Sequence, residues 1–189
     1  MLSFKIFIMR ILSVLALFLI TTSCIPTRIA PSIKTNKIMQ AKKFKKGLPK
    51  QDAFIFEDPK DANHFYTYIN TKYQLNHNNV DNNVPIQINN TTYYLSFYET
   101  QIDDKTLNFV PILVDAKLSQ NGDEPILQDM YESRKGNYYI VLTVYDAGLK
   151  NCLSENYNNN DIIINHLEEI RIEYLNTYNY EELLFKKKS

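Results

Sequence analysis

Few residues in this chain have the types and spacing to do chemistry. There are two cysteines and three histidines, and carboxylates stand side by side at Asp103-Asp104, Asp123-Glu124, Glu168-Glu169 and Glu181-Glu182. Neighbouring residues on a strand or helix point apart, so these pairs read as solvated charges rather than as acid/base couples. His77 lies in Asn76-His77-Asn78-Asn79-Val80-Asp81, where imidazole and carboxylate could exchange protons or bind a metal. A polar loop between elements is the plainer reading. His64 reads as a surface residue and His166 as a hydrogen-bonded residue at the edge of an apolar helix face. No phosphate-cradling glycine loop, G-x-S-x-G, H-E-x-x-H, C-x-x-C or calcium-loop pattern occurs, and four scattered glycines make a dinucleotide site a poor fit. Catalytic residues, a cofactor and a metal site are therefore all expected to be none. Cys152 reads as a small, buried apolar residue, reduced and unpaired. Cys24 depends on what precedes it.

What precedes Cys24 is a tripartite export segment. Lys5 and Arg10 supply positive charge, residues 11–20 are uncharged and apolar, and Thr21-Thr22-Ser23 are small. The apolar run is about half the ~20 residues of a spanning helix. Met9-Arg10 followed by the run is a second possible start, with the same mature product. The ending Ser23-Cys24 resembles the lipobox of bacterial lipoproteins. That resemblance implies that the Cys24 thiol takes a diacylglycerol, that the bond before it is cut, and that a palmitate-type lipid anchor holds the new N-terminus to a membrane. One position departs from the pattern: Thr21 stands where Leu, Val or Ile is usual. The resemblance covers the signal and Cys24 alone. Ile25, rather than Asp, follows the cysteine. In the best-known lipoprotein sorting systems Asp at that place holds the protein at the inner membrane, so the resemblance implies the outer membrane, with the body facing the periplasm.

Charge divides the rest of the chain. Residues 25–51 hold Arg28, Lys34, Lys37, Lys42, Lys43, Lys45, Lys46 and Lys50 and no acid, whereas all 21 acidic residues lie from Asp52 onward. The expected organisation is a signal peptide over 1–23, a lipidated cysteine and basic tether over 24–51, and one globular domain over 52–189. A basic segment beside a lipid anchor is drawn to anionic head groups, and Pro26 and Pro31 favour an extended tether. Nucleic acid is not an expected partner, because the body is acidic and the basic segment adjoins the anchor.

The elements follow from periodicity. Residues 53–57 read as a strand, and Asp58-Pro59 as a helix start leading to about Tyr73 through Ala62, Phe65, Tyr66 and Ile69. Residues 37–50 could begin in an edge strand, broken by Gly47-Leu48-Pro49. Residues 84–88 and 93–99 flank Asn89-Asn90 and read as a hairpin. A strand is expected over 107–118 with a bulge at Pro111, a turn at Asn121-Gly122, and a short helix or irregular segment over 125–131. The strongest strand is 138–145. A second helix, capped by Asn160 or Asp161, carries Ile163, Leu167, Ile170 and Tyr174 on one face and ends near Asn176. The order predicts an α+β fold: a largely antiparallel sheet with two main helices packed on one face. The leading functional expectation is a non-enzymatic accessory or assembly subunit of an envelope protein complex, anchored to the membrane through Cys24. The alternatives are a lipoprotein that binds a glycan, peptide or lipid in a tyrosine-lined cavity, and a hydrolase built around His77.

Overall fold

In the 84–99 region, Val84, Ile86 and Ile88 are buried while Pro85 and Gln87 are exposed, the alternation of a half-buried strand. This strand pairs antiparallel with the next one through a turn at Asn89-Asn90, whose φ values of 49° and 61° are those of a two-residue hairpin loop. The computed structural model describes residues 9–11, 24–108 and 132–186. Its elements are β1 (Cys24–Arg28), β2 (Lys37–Gln40), α1 (Ala41–Phe44), β3 (Asp52–Glu57), α2 (His64–Tyr73), β4 (Val84–Ile88), β5 (Thr91–Asn108), β6 (Glu132–Tyr145), α3 (Asn160–Asn176) and α4 (Glu182–Lys186). Expectations for Pro111, Asn121-Gly122, Asp123-Glu124 and residues 125–131 fall outside the described residues.

The fold is α+β, with a curled, antiparallel sheet and two main helices. The chain divides into two compact units, Met1–Ala30 with Asp103–Gly136, and Pro31–Ile102 with Asn137–Ser189. In the first, β1 pairs antiparallel with the end of β5, Cys24 opposite Asn108 and Ile25 opposite Leu107. In the second, the strand order is β5-β6-β3-β2, with β4 also on β5.

The second unit's core lies on one face of its sheet. Phe54 and Phe56 of β3 stand opposite Leu142 and Ile140 of β6. Together with Leu95 and Phe97 of β5 they join one apolar cluster with Phe65, Tyr68 and Ile69 of α2 and Ile163, Leu167, Ile170 and Tyr174 of α3. The α3 set recurs every three or four residues, so burying that face fixes the helix against the sheet. At its centre the aromatic rings meet edge to face: Phe65 lies 4.9 Å from Phe97 and 4.9 Å from Tyr174.

The opposite face is buried as well. Ala53, Ile55, Tyr139 and Val141 are all at most 1% exposed, which explains why β3 and the end of β6 read as unbroken apolar runs. Part of the basic segment covers this side. The Phe44 ring meets Tyr139 at 5.0 Å, the Tyr139 hydroxyl donates to the Pro31 carbonyl at 2.6 Å, and the Ile33 amide donates to the Glu57 carboxylate. The edge strand expected in this segment is β2, paired with β3 from Lys37 opposite Ile55 to Gln40 opposite Asp52.

The helix starts differ from expectation. α2 begins at His64, after Asn63 in a left-handed conformation, and not at Asp58-Pro59. α3 follows Asn159, also left-handed, and no side chain caps its first turn.

Candidate functional site

The segment between β3 and α2 carries Asp58 and Lys60, which join a polar cluster with the end of α3. The Asp58 amide extends the sheet ladder by donating to the Tyr138 carbonyl at 2.9 Å. Its carboxylate turns inward and is 8% exposed. It accepts the Tyr174 hydroxyl at 2.9 and 3.0 Å and the Lys60 amide at 3.0 Å. Burial pushes the Asp58 carboxyl above its ordinary range, while the bonds from Lys60 and Tyr174 hold it back.

Lys60 reaches across to the end of α3. Its ammonium donates to the Tyr174 carbonyl, to the Thr177 carbonyl at 2.7 Å, and lies 3.4 Å from the Tyr180 hydroxyl. It also sits 4.4, 5.1 and 5.3 Å from the ring centres of Tyr174, Tyr178 and Tyr180. A helix C-terminus leaves carbonyls unbonded and carries partial negative charge, so a cation there both satisfies and neutralises it. The rings add cation–π attraction. Burial lowers the Lys60 pKa, and the Asp58 charge opposes that shift. The cluster ends on His64, whose Nδ1 is 3.1 Å from the Tyr180 hydroxyl. Burial, with Asp58 nearby, raises the Tyr180 phenol to about 12.

Two openings border the cluster. A cleft of about 500 Å³ is lined by Asn63, His64, Thr67, Thr71, Tyr178 and Glu181, among others. Tyr178 on its rim is 88% exposed. A smaller one of about 230 Å³ touches Asp58, Lys60, Glu99 and Tyr138. The Asp58 carboxylate is thus held by the Tyr174 hydroxyl and the Lys60 amide, and the Lys60 ammonium by carbonyls at the end of α3. The larger cleft offers an aromatic face, hydroxyls, an amide and a carboxylate, a set suited to hydrogen-bonding a polar ligand.

The residues singled out from the sequence are dispersed. The Cys24 backbone lies in β1 of the first unit. There the Arg28 Nε donates to the Asp103 carbonyl at 2.8 Å and the Ala30 amide to the Asp104 carboxylate at 2.5 Å. His64 is half-buried rather than fully exposed, with the Tyr180 ring packed against it at 6.0 Å. His77 is exposed with φ 63°. Its ring stacks on Tyr66 at 5.9 Å, its Nδ1 is 3.2 Å from the Tyr66 hydroxyl, and its amide donates to the Asn70 side chain at 2.8 Å. None of these partners is a carboxylate. His166 lies 3.5 Å from Glu169, and burial lowers its pKa. Glu168 points elsewhere, accepting two bonds from Arg171 at 2.8 and 2.5 Å and one from Asn36 at 3.0 Å. Cys152 is fully buried, its thiol 3.5 Å from the Lys150 carbonyl and pushed up in pKa by burial. Among the described residues no group of three or more His, Cys, Asp or Glu is placed to hold a metal ion.

Sequence reasoning missed Asp58, Lys60, Tyr174 and Tyr180 as a unit. No protein-family model, curated protein or solved structure matches this chain.

Proposed function

We propose that the chain is an envelope lipoprotein, anchored through lipid on Cys24, whose folded body is a non-enzymatic accessory or assembly subunit of a membrane complex. The observation that carries this reading is the export segment, with its charged start, ten-residue apolar run and small residues ending at Cys24. The side-chain geometry supports the non-enzymatic part. Lys60 is spent on the α3 carbonyls, Asp58 on Tyr174, and Cys152 is buried as a high-pKa thiol, poor as a nucleophile. The outer membrane, periplasmic side, is the proposed location, on the ground that Ile25 follows the cysteine.

The test is metabolic labelling of the full chain with an alkyne fatty acid, followed by mass analysis of the mature N-terminus. Label on a product beginning at acylated Cys24, and none on Cys24→Ser, is the expected result. An unlabelled mature protein, or one beginning elsewhere, overturns the reading.

The tyrosine-rimmed cleft favours a second reading, a lipoprotein that binds a small polar ligand such as a glycan or peptide. Trp is absent, so the intrinsic emission is that of the chain's 14 tyrosines, Tyr178 among them, and Tyr178→Ala identifies its share. A quench by soluble envelope glycans or peptides that Tyr178→Ala abolishes would support binding there.

A further inference from the structure

The lysines of the basic segment sit on a fastened loop of the second unit. The loop runs over residues 41–51 and is closed at its neck, where the Ala41 amide donates to Gln51 and the Lys42 amide to Pro49, both at 2.8 Å. Within it the Lys45 amide donates to the Ala41 carbonyl at 3.0 Å, and Gly47 turns the chain at φ 96°. Ala41 is fully buried at its root. The Lys45 ammonium donates to the Gln101 carbonyl of β5 at 2.9 Å, which pins the loop a third time. Four lysines remain exposed on this frame: Lys42, Lys43, Lys46 and Lys50. Lys34 and Lys37, also exposed, precede it.

Three acids stand near this segment, and one of them is already paired with a cation. Asp52 stands opposite Gln40 across the strand pair, Glu57 accepts the Ile33 amide, and Glu168 is held by Arg171. Lysines on a flexible spacer lose chain entropy when they dock, whereas a pre-fixed loop loses much less. Ala41, the root of the loop, is 17 positions along the chain from Cys24, a reach of at most about 61 Å. An acyl chain on Cys24 therefore keeps the loop close to its own leaflet at high effective concentration.

We propose that loop 41–51 is a docking surface for anionic phospholipid head groups, which seats the folded body on the leaflet that holds its anchor. This rests on the lipoprotein reading, and it makes residues 41–51 a fastened loop rather than part of an extended tether. The favoured occupant is lipid, because charge complementarity and chain reach from Cys24 both point to the bilayer.

The experiment uses the mature chain from residue 24 with Cys24→Ser, so that no acyl chain contributes. It is co-sedimented with vesicles of phosphatidylglycerol and phosphatidylcholine, or of phosphatidylcholine alone. Binding to the anionic vesicles only, weakening as salt rises, is expected. Changing Lys42, Lys43, Lys46 and Lys50 together to Gln should weaken binding roughly 100-fold or more, from on the order of fivefold per lysine. The neck bonds are backbone bonds, so the thermal melt of this variant should match its parent. Changing Lys186, Lys187 and Lys188 to Gln should leave binding intact, which separates the loop from net charge. Equal binding to neutral vesicles, or anionic binding that the four changes leave untouched, overturns the proposal. So does concentration-dependent self-association abolished by the same changes, which would make a second copy the occupant. Fatty-acid labelling at Cys24 is read separately, so failure of the anchor and failure of the loop are distinguishable.

Discussion

Tyr174→Phe isolates one hydrogen bond at the centre of the polar cluster. The ring keeps its neighbours, Phe65 at 4.9 Å, Tyr68 at 5.4 Å and Phe56 at 6.3 Å, so the packing term is close to zero. What is lost is the phenol that donates to the Asp58 oxygens, at 2.9 and 3.0 Å, at a residue 8% exposed. A hydrogen bond to a charged group contributes about 1.5–3 kcal/mol, and one between neutral groups about 0.5–1.5 kcal/mol. The balance between these depends on pH. Burial raises the folded pKa of Asp58, so its contribution is fully present below the unfolded value of about 3.9 and is lost as pH rises through the folded value. The phenol favours the ionised form. Removing it raises the folded value further, and more stability is lost by neutral pH. The variant should therefore melt about 4–10 °C below its parent at pH 7, from roughly 2–4 °C per kcal/mol for a chain of this size, and by less than half as much at pH 4. Thermal melts followed by circular dichroism at both pH values measure this. A deficit under about 0.5 kcal/mol at pH 7, or one equal at the two pH values, would refute the assignment of Asp58 as a charged acceptor.

Lys60→Met should cost about 1–3 kcal/mol by removing the ammonium from the Thr177 carbonyl and from the Tyr174 carbonyl, which keeps the Thr177 amide. Amide exchange at the last turn of α3 should quicken first, and unchanged exchange there would argue against the capping role. His166 has a folded pKa lowered by burial, so the folded state binds fewer protons than the unfolded one and stability is lost as pH falls through about 6.5. Urea titrations at pH 5 and 8 should show a smaller difference for His166→Gln than for its parent. Cys152 should react slowly with a bulky thiol reagent in native buffer and at once in denaturant, and no disulfide-linked dimer should form.

The parts of the fold legible in the sequence are those set by local rules. Asn89-Asn90 tolerates positive φ, and the hairpin turns there. Ile163, Leu167, Ile170 and Tyr174 mark the buried face of α3 by spacing alone. Strand lengths were harder to read, because backbone pairing continues where apolar alternation stops. Asp103, Asp104 and Lys105 interrupt the pattern, yet β5 runs on through them to Asn108 with β1 alongside. Asp58-Pro59 misled for another reason. Asp before Pro fits a helix cap, but the Asp58 side chain is taken by a hydroxyl 116 residues later in the chain, and the helix waits for Asn63.

The polar cluster was illegible for that same reason, and one feature of α3 points to how it could be found. Lys60 follows Asp-Pro in a segment that reads as surface, and its partners lie 114 to 120 residues away. Seen from Lys60, nothing distinguishes it from a solvated lysine. Seen from the helix, something is missing. The last turn of α3 has no basic residue, while Tyr174, Tyr178 and Tyr180 gather at and beyond its end. Its terminal carbonyls are partly buried by those rings and lose water, so their bonds must come from protein donors. A neutral donor would satisfy one or two carbonyls but leave the dipole and the ring faces unmatched. A lysine meets all three demands at once, with three protons on one point charge. The requirement was therefore written at the helix end, and only the fold could show which of the chain's lysines fulfils it.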